Sequence, residues 1–445
     1  MDKKSTIAIL VVVVILIAAV AAIVAVDNKE DNGEPKAMAD AQLKVYGNIN
    51  GDRYLDDRDA NLIQSLIDDG KTAEEYPAAD ANMDGKLDSA DVDLVKAVAR
   101  GESARIWHVN YHDTDKDGVM DEETVQTSFP ITSAIMTGSA NSFILVMSLG
   151  IKDEIKGASY SNTNDKALLG DYYLDESKVE RIGTSSTSIK FEDGKVGSSN
   201  IIAEKGVTAL LTDWNKSYIT NESDFRKANV DVVRVAAATV DIESMTHSIM
   251  LLGLLFQKVD AADKLLDMNI DIFDKVDAVV KANEGSKTTF VASSTTGSIS
   301  SDSSDYTQLC ERAGGQFAIA DPSVFNGLAS IKIADHPEIY TNNIDRIIHL
   351  RTAITYDQTP ESIKSSWDSY VKPFADAPDT TKQVMVSGSI PVAIRCAYVC
   401  AALYSDSFSL DEVTAMHQDY IDNFYQGKTF DLSEMKFLVT AEDFS

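Results

Sequence analysis

Between positions 242 and 283 the chain carries no strand signal, while on both sides of that interval short apolar runs alternate with amphipathic ones. Within it Met245, Ile249, Leu252, Leu255, Phe256 and Val259 recur at helical spacing. Ala262, Leu265, Leu266, Ile270, Phe273, Val276 and Val280 continue the pattern. This predicts one long helical connection, 242–284. Before it, strands are expected at 131–137, 155–159, 180–182, 207–212 and 230–235, with helices at 141–149 and 199–205. After it, strands at 288–293 and 344–350 alternate with helices near 307–313, 360–370 and 390–403. Such alternation implies parallel sheets covered on both faces. The fold class expected is α/β, with two parallel-sheet lobes, 106–241 and 285–445, joined by the long helix. Apolar residues are 44% of the chain and charged ones 25%, in keeping with two such cores.

Ahead of the lobes, 43–102 contains an internal repeat. NINGDRYLDDRD (48–59) and DANMDGKLDSAD (80–91) are each followed by a helical apolar face and end at a glycine, Gly70 or Gly101. A 12-residue loop folded round Ca²⁺ uses side-chain oxygens at positions 1, 3, 5, 9 and 12 and a carbonyl at 7. The second loop supplies Asp80, Asn82, Asp84, the Lys86 carbonyl, Asp88 and Asp91, with Gly85 at the sharp turn. The first supplies Asn48, Asn50, Asp52, the Tyr54 carbonyl, Asp56 and Asp59, with Arg53 in place of the glycine. A non-glycine there is expected to cost about 1 kcal/mol in backbone strain. A third acidic loop offers Asp113, Asp115, Asp117 and Asp121 in the turn of a hairpin formed by 106–111 and 124–129. It reads either as a third calcium loop or as a solvated acidic turn. Structural Ca²⁺ is the one cofactor expected.

Positions 7–26 are uninterruptedly apolar. At about 1.5 Å per residue this run spans roughly 30 Å, one hydrocarbon core. Lys3 and Lys4 precede it and acidic residues follow, so the bulk of the chain is expected outside a membrane crossed once, with 1–27 as anchor and 28–42 as linker. A cleaved signal peptide is the alternative. The net charge of −30 argues against nucleic acid as a partner. Three cysteines and six scattered histidines offer neither a disulfide scaffold nor a multi-His metal centre. Cys396 and Cys400, one helical turn apart, read as buried thiols. No nucleophile elbow, P-loop or post-strand Gly-x-Gly-x-x-Gly is present, so no enzyme activity is expected.

The duplicated loop–helix units, with Asp rather than Glu at position 12, resemble a dockerin domain. That resemblance implies a cohesin-like protein partner recognised through loop positions 10 and 11, here Asp57–Arg58 and Ser89–Ala90. A calcium-stabilised spacer is the other reading of the unit. From 106 to 439 the chain resembles the ABC-importer solute-binding proteins of the iron-siderophore and vitamin B12 type. The segments that carry the likeness are ITSAIMTGSANSFILVMSLGIKDEIKGASYS, THSIMLLGLLFQKVDAADKL and LCERAGG. It implies capture of a metal chelate (a corrinoid, haem or ferric siderophore) for an ABC permease, whose docking would use surface carboxylates such as Glu204 and Glu338.

Ligands of open α/β sheets bind beyond the carboxyl ends of strands. The candidate ligand residues are therefore Ser139, Tyr160, Asn162, Ser186, Trp214, Thr295, Arg351 and Ser389, with Arg395 and His349 as further candidates. Trp214 offers a flat face for a macrocycle; a packing tryptophan is the competing reading. Asn215-Lys-Ser217 and Asn221-Glu-Ser223 are glycosylation sequons, and the position of Asn215 beside Trp214 favours Asn221 for modification. The alternative to a solute receptor is a cell-surface scaffold held by a dockerin–cohesin contact.

Overall fold

The computed structural model describes residues 36–112, 120–159, 177–183, 189–351, 354–425 and 430–445. The apolar run 7–26 lies outside them, as do Asp113, Asp115, Asp117, Tyr160, Asn162 and Ser186. Among the described residues no helix is long and apolar enough to cross a membrane.

Each copy of the repeat contributes one helix. Helices α1 (Asp57–Asp68) and α2 (Ser89–Ala99) each start at a capping box, Asp56 with Asp59 and Asp88 with Asp91. Ile63 and Leu66 of α1 and Val92, Val95 and Val98 of α2 are buried, and Gly70 and Gly101 take left-handed φ of 69° and 73°. One expectation fails. Arg53 is not in the left-handed region; Gly51, at φ 70°, makes the turn two residues earlier, so Arg53 bears no such strain. In the second loop Met83 and Gly85 share that task, at φ 56° and 85°.

The hairpin β1 (Ala104–His112) and β2 (Asp121–Phe129) follows. The repeat unit is fastened to it by backbone pairing. Val45 bridges His108, the Tyr46 N–H donates to the Trp107 carbonyl (2.9 Å), and the Val109 N–H to the Lys44 carbonyl (3.0 Å). Buried His247 closes the junction: its Nδ1 accepts the Lys44 N–H (3.0 Å), so its Nε2 donates to the Val109 carbonyl (2.8 Å). Burial alone would lower the Lys44 pKa. Glu122 at 2.5 Å and Glu243 at 2.9 Å outweigh it and hold the ammonium charged.

The first lobe is a five-stranded, all-parallel sheet of β3 (Ala134–Thr137), β4 (Ile155–Ser159), β5 (Glu180–Gly183), β6 (Ala209–Asp213) and β7 (Asp231–Val235), in the order β5-β4-β3-β6-β7. Helix α3 (Ala140–Ser148) follows β3.

The connection is two helices, not one. Helix α4 (Ile242–Leu255) is apolar nearly all round and buried from Met245 to Leu255. Helix α5 (Val259–Ala282) is amphipathic. The break falls at Gln257, whose φ is 55°. Gly253 lets α5 fold back against α4: a Cβ there would meet the Ala262 Cβ at 2.4 Å.

The second lobe comprises β8 (Thr289–Ser293), α6 (Asp305–Arg312), β9 (Arg346–Arg351), α7 (Pro360–Val371), β10 (Lys382–Ser387), α8 (Val392–Leu403), α9 (Leu410–Phe424) and β11 (Leu438–Thr440). Its sheet is parallel except where β11 pairs antiparallel with β10. One continuous apolar core runs from Leu43 in the repeat unit to Val439 in β11.

Four histidines are fully buried, and burial depresses their pKa values: His108 and His349 to about 4, His247 and His417 to about 3. They are neutral in the folded chain. The unfolded chain takes up these protons below its ordinary histidine value, about 6.5. The stability from neutral burial is therefore complete above that pH and is lost progressively down to about 3. Thermal midpoints recorded from pH 7.5 downward should fall steadily below about 6.5; a flat profile between pH 6.5 and 4.5 would contradict neutral burial.

Candidate ligand-binding cleft

The carboxyl ends of the lobe strands bring together residues far apart in the chain. After β3 come Gly138 and Ser139; after β6, Trp214; after β7, Ala236 to Thr239. Across from them stand Ser303 and Asp305 at the start of α6, and Arg395 on α8. Hydrogen bonds cross between the lobes, among them Arg395 Nη2 to Asn141 Oδ1 (3.0 Å) and the Ser148 and Tyr420 hydroxyls (3.3 Å). The lobes touch at these points. Among the described residues, cavities of about 30 Å³ lie between the lobes, one lined by Trp214, Thr239, Ser303, Asp305 and Gln308, another by Asn141, Thr239, Ser248, Asn269, Tyr420 and apolar neighbours. Each has room for a water or two, not for a chelate. A larger hollow, about 1300 Å³, lies at the opposite, amino-terminal edge of the second sheet beside Lys382, Gln383 and Lys436.

Asp213 is the buried acid of the cleft. Its Oδ2 accepts from Ser139 Oγ (2.6 Å) and Ser142 Oγ (3.2 Å). Burial pushes its pKa up, and the two hydroxyls partly counter this. Gly138, at φ 144°, permits the arrangement, since a Cβ there would meet Ser142 Oγ at 2.7 Å. Asp305 is solvent-accessible, yet protein surrounds it closely enough to raise its pKa by desolvation, with Arg395 opposing. The Tyr218 phenol is also pushed up, by burial and by Asp213, Tyr306 and Asp305. Arg395 is buried; its Nη2 also donates to the Gly388 (2.7 Å) and Ile390 (3.1 Å) carbonyls, and its Nε has no acceptor.

Trp214 is half-buried against Val109, Tyr111, Ala236 and Met120 while lining the interlobe cavity. Its loop is held by Arg234, a lone arginine in the apolar run of β7, which sequence reasoning passed over. A charge inside a buried strand demands partners, and that was the readable signal. Asp305, Tyr306, Tyr218 and Asn141 were also missed, because only the meeting of the lobes joins them.

Of the sequence candidates, Ser139 and Trp214 converge on the Asp213 corner. Thr295 is exposed in the turn after β8, and Ser389 is buried next to the Gly388 carbonyl that Arg395 grips. Arg351 ends β9, with its side chain outside the described residues. His349 is a core residue, its Nε2 2.9 Å from Gln383 Oε1 and its ring against Tyr370 and Phe374. Cys310, Cys396 and Cys400 are buried free thiols. The sequon preference reverses. The Asn221 amide already donates to the Phe191 carbonyl (2.5 Å) and Asp224 (2.9 Å), whereas Asn215 is exposed.

The acidic loops differ from each other. In the first, Asn48 is buried with its Oδ1 unpartnered. Asp59 is fully buried and accepts from the Ile49 (3.1 Å) and Asp56 (3.0 Å) amides. Burial, with repulsion from Asp52 and Asp56, raises its pKa to about 7. Arg58 lies inside this loop, its Nη2 2.8 Å from Asp52 and 2.9 Å from Asp56. In the second loop Asp80, Asn82, Asp84 and Asp91 accept only backbone amides of the loop itself. Among the described residues no three His, Cys, Asp or Glu side chains converge as a metal site. Asp121 stands 3.4 Å from His112 across the hairpin.

No protein-family model matches the sequence, and no curated protein matches it. Solved structures do. A TroA-like periplasmic binding protein, FepB, from Veillonella parvula superposes with a TM-score of 0.54 at 14% identity, over 72% of this chain and 97% of that one. A periplasmic heme binding protein from Pseudomonas aeruginosa gives 0.45 at 11% identity, over 62% and 94%. The molybdate periplasmic binding protein MolA of a Haemophilus influenzae ABC transporter gives 0.48 at 13%, over 72% and 98%. The first shows a shared fold of paired parallel-sheet lobes.

Proposed function

We propose that the protein is an extracytoplasmic solute-binding receptor that captures a metal chelate and passes it to an ABC permease. The observation that carries this reading is the meeting of two parallel sheets at their carboxyl ends, with Trp214, Asp213, Tyr218, Asp305 and Arg395 gathered there. The likeness to the Veillonella binding protein supports it. No chemistry on the ligand is required. A chelate fills hundreds of Å³, so the lobes must part, and opening breaks the Arg395–Asn141 and Ser148–Tyr420 hydrogen bonds. Glu204 and Glu338 are exposed, one on each lobe, as docking carboxylates would be. The apolar run 7–26 would hold the receptor in the membrane.

Trp214→Ala should weaken binding of a corrinoid, haem or ferric siderophore by roughly ten-fold or more, since a stacked ring contributes about 1–3 kcal/mol. Titration calorimetry and the melting temperature, read together, decide it. A large loss of stability with unchanged affinity returns Trp214 to a packing role. If the unsubstituted chain binds none of the three classes yet captures a cohesin-like protein, the scaffold reading replaces this one.

The repeat loops suit structural calcium. The unpartnered Asn48 Oδ1 and the buried Asp59 carboxylate fit a cation in the first loop. The second has the fuller acidic set, Asp80, Asp84, Asp88 and Asp91. A calcium ion would supply charge neutralisation and tie each loop to its helix. Because the repeat shares its core and backbone pairing with the first lobe, EDTA should lower the midpoint of the whole chain rather than melt the repeat alone. Asp84→Ala should lose more calcium affinity than Asp52→Ala, because Arg58 already neutralises Asp52. Equal losses in calorimetric titration would contradict that ranking.

A further inference from the structure

We infer that Arg234 is a positioning residue for the ligand-facing loop 213–217, acting on Trp214 through the backbone on either side of it. The inference rests on the reading of Trp214 as a ligand contact. The ladder between β6 and β7 ends at Asp213 opposite Val235, and among the described residues the chain next takes a strand-type partner at Ile219, which bridges Ile189, so 214–217 lie outside any ladder. The guanidinium of Arg234, 1% exposed, takes over there. Its Nη1 donates to the carbonyls of Asp213 (3.0 Å) and Asn215 (3.3 Å), the residues flanking Trp214. Its Nε and Nη2 donate to Glu222 Oε2 at 3.0 and 2.6 Å. Glu222 is fixed in turn by Arg226 at 2.5 Å. The Arg234 backbone is set by Asn110 of the hairpin, whose Oδ1 accepts its N–H at 2.9 Å.

This arrangement needs a planar fork. One donor edge faces two carbonyls while another faces a carboxylate, which a lysine ammonium at the same position cannot reproduce. The indole can then enter the cleft without being buried in the core, because its main chain is held from behind. Glu222 compensates the charge that holding it requires.

The test uses the full chain, with Arg234→Lys and the milder Glu222→Gln. Hydrogen exchange by mass spectrometry should show peptides covering 213–219 exchanging at least ten-fold faster, with peptides from β3 and α5 unchanged. Acrylamide should quench tryptophan emission more strongly than in the unsubstituted protein. Ferric haem serves as the ligand probe, and its affinity should fall about ten-fold or more if haem binds the parent chain. Failure of the parent chain to bind haem bears on the receptor reading alone, and the exchange result still decides the loop. Unchanged exchange at 213–219 in both variants overturns the inference. So does acceleration spread evenly over the first lobe, which marks Arg234 as a general stabilising residue.

Discussion

The close crossing of α4 and α5 is the contact on which the rest of the molecule depends. A helix as apolar as α4 must be covered on every side. Helix α5 covers one side of it and the repeat unit, through Lys44 on His247, another. Gly253 against Ala262 lets α5 return along α4 instead of continuing away from it. Both helices consequently reach the interlobe cavity, through Met245, Ser248 and Ile249 of α4 and Leu265 and Asn269 of α5. The same pair receives the repeat unit. His247 and Glu243 of α4 hold Lys44, while Asp263 and Asp267 of α5 hold Arg53 at 3.3 and 2.6 Å.

That last contact gives Arg53 a purpose. At loop position 6 a glycine serves a sharp turn. Here the turn has moved to Gly51, and the freed side chain reaches α5 alongside Tyr54, whose hydroxyl donates to Asp263 at 2.9 Å. The first loop is thus partly spent on docking to α5, while the second meets the hairpin at its start, where Trp107 Nε1 donates to the Asn82 carbonyl (3.1 Å), and is exposed at 83–86 and 88–90. The two copies share caps and end glycines, yet their surroundings have made them unequal.

Buried charge is the other organising feature. Lys44, Arg234, Arg395, Asp213 and Asp59 are all largely withdrawn from water, and each sits where two segments meet. A withdrawn charge is tolerated only with partners in place. Such residues therefore fix particular junctions, while the apolar core supplies most of the cohesion without specifying geometry.

Much of this was legible in the sequence. Period-two and period-3.6 patterns located most of the lobe strands and helices within a few residues, and the repeat disclosed its caps and end glycines, because these are local properties of backbone and burial. Ser139 and Trp214 were found because a post-strand position can be read from one segment alone. The broken connection was not legible, since apolar spacing continues through Gln257 and only the packing of Gly253 on Ala262 decides the reversal. Nor was the partnership of Asp213, Tyr218, Asp305, Asn141 and Arg395. These residues come from both lobes, and nothing within either segment records the distance to the other. The sequence alone determined which elements form and which faces they bury. The tertiary structure decided which charges meet, because that depends on how the lobes close over the two helices.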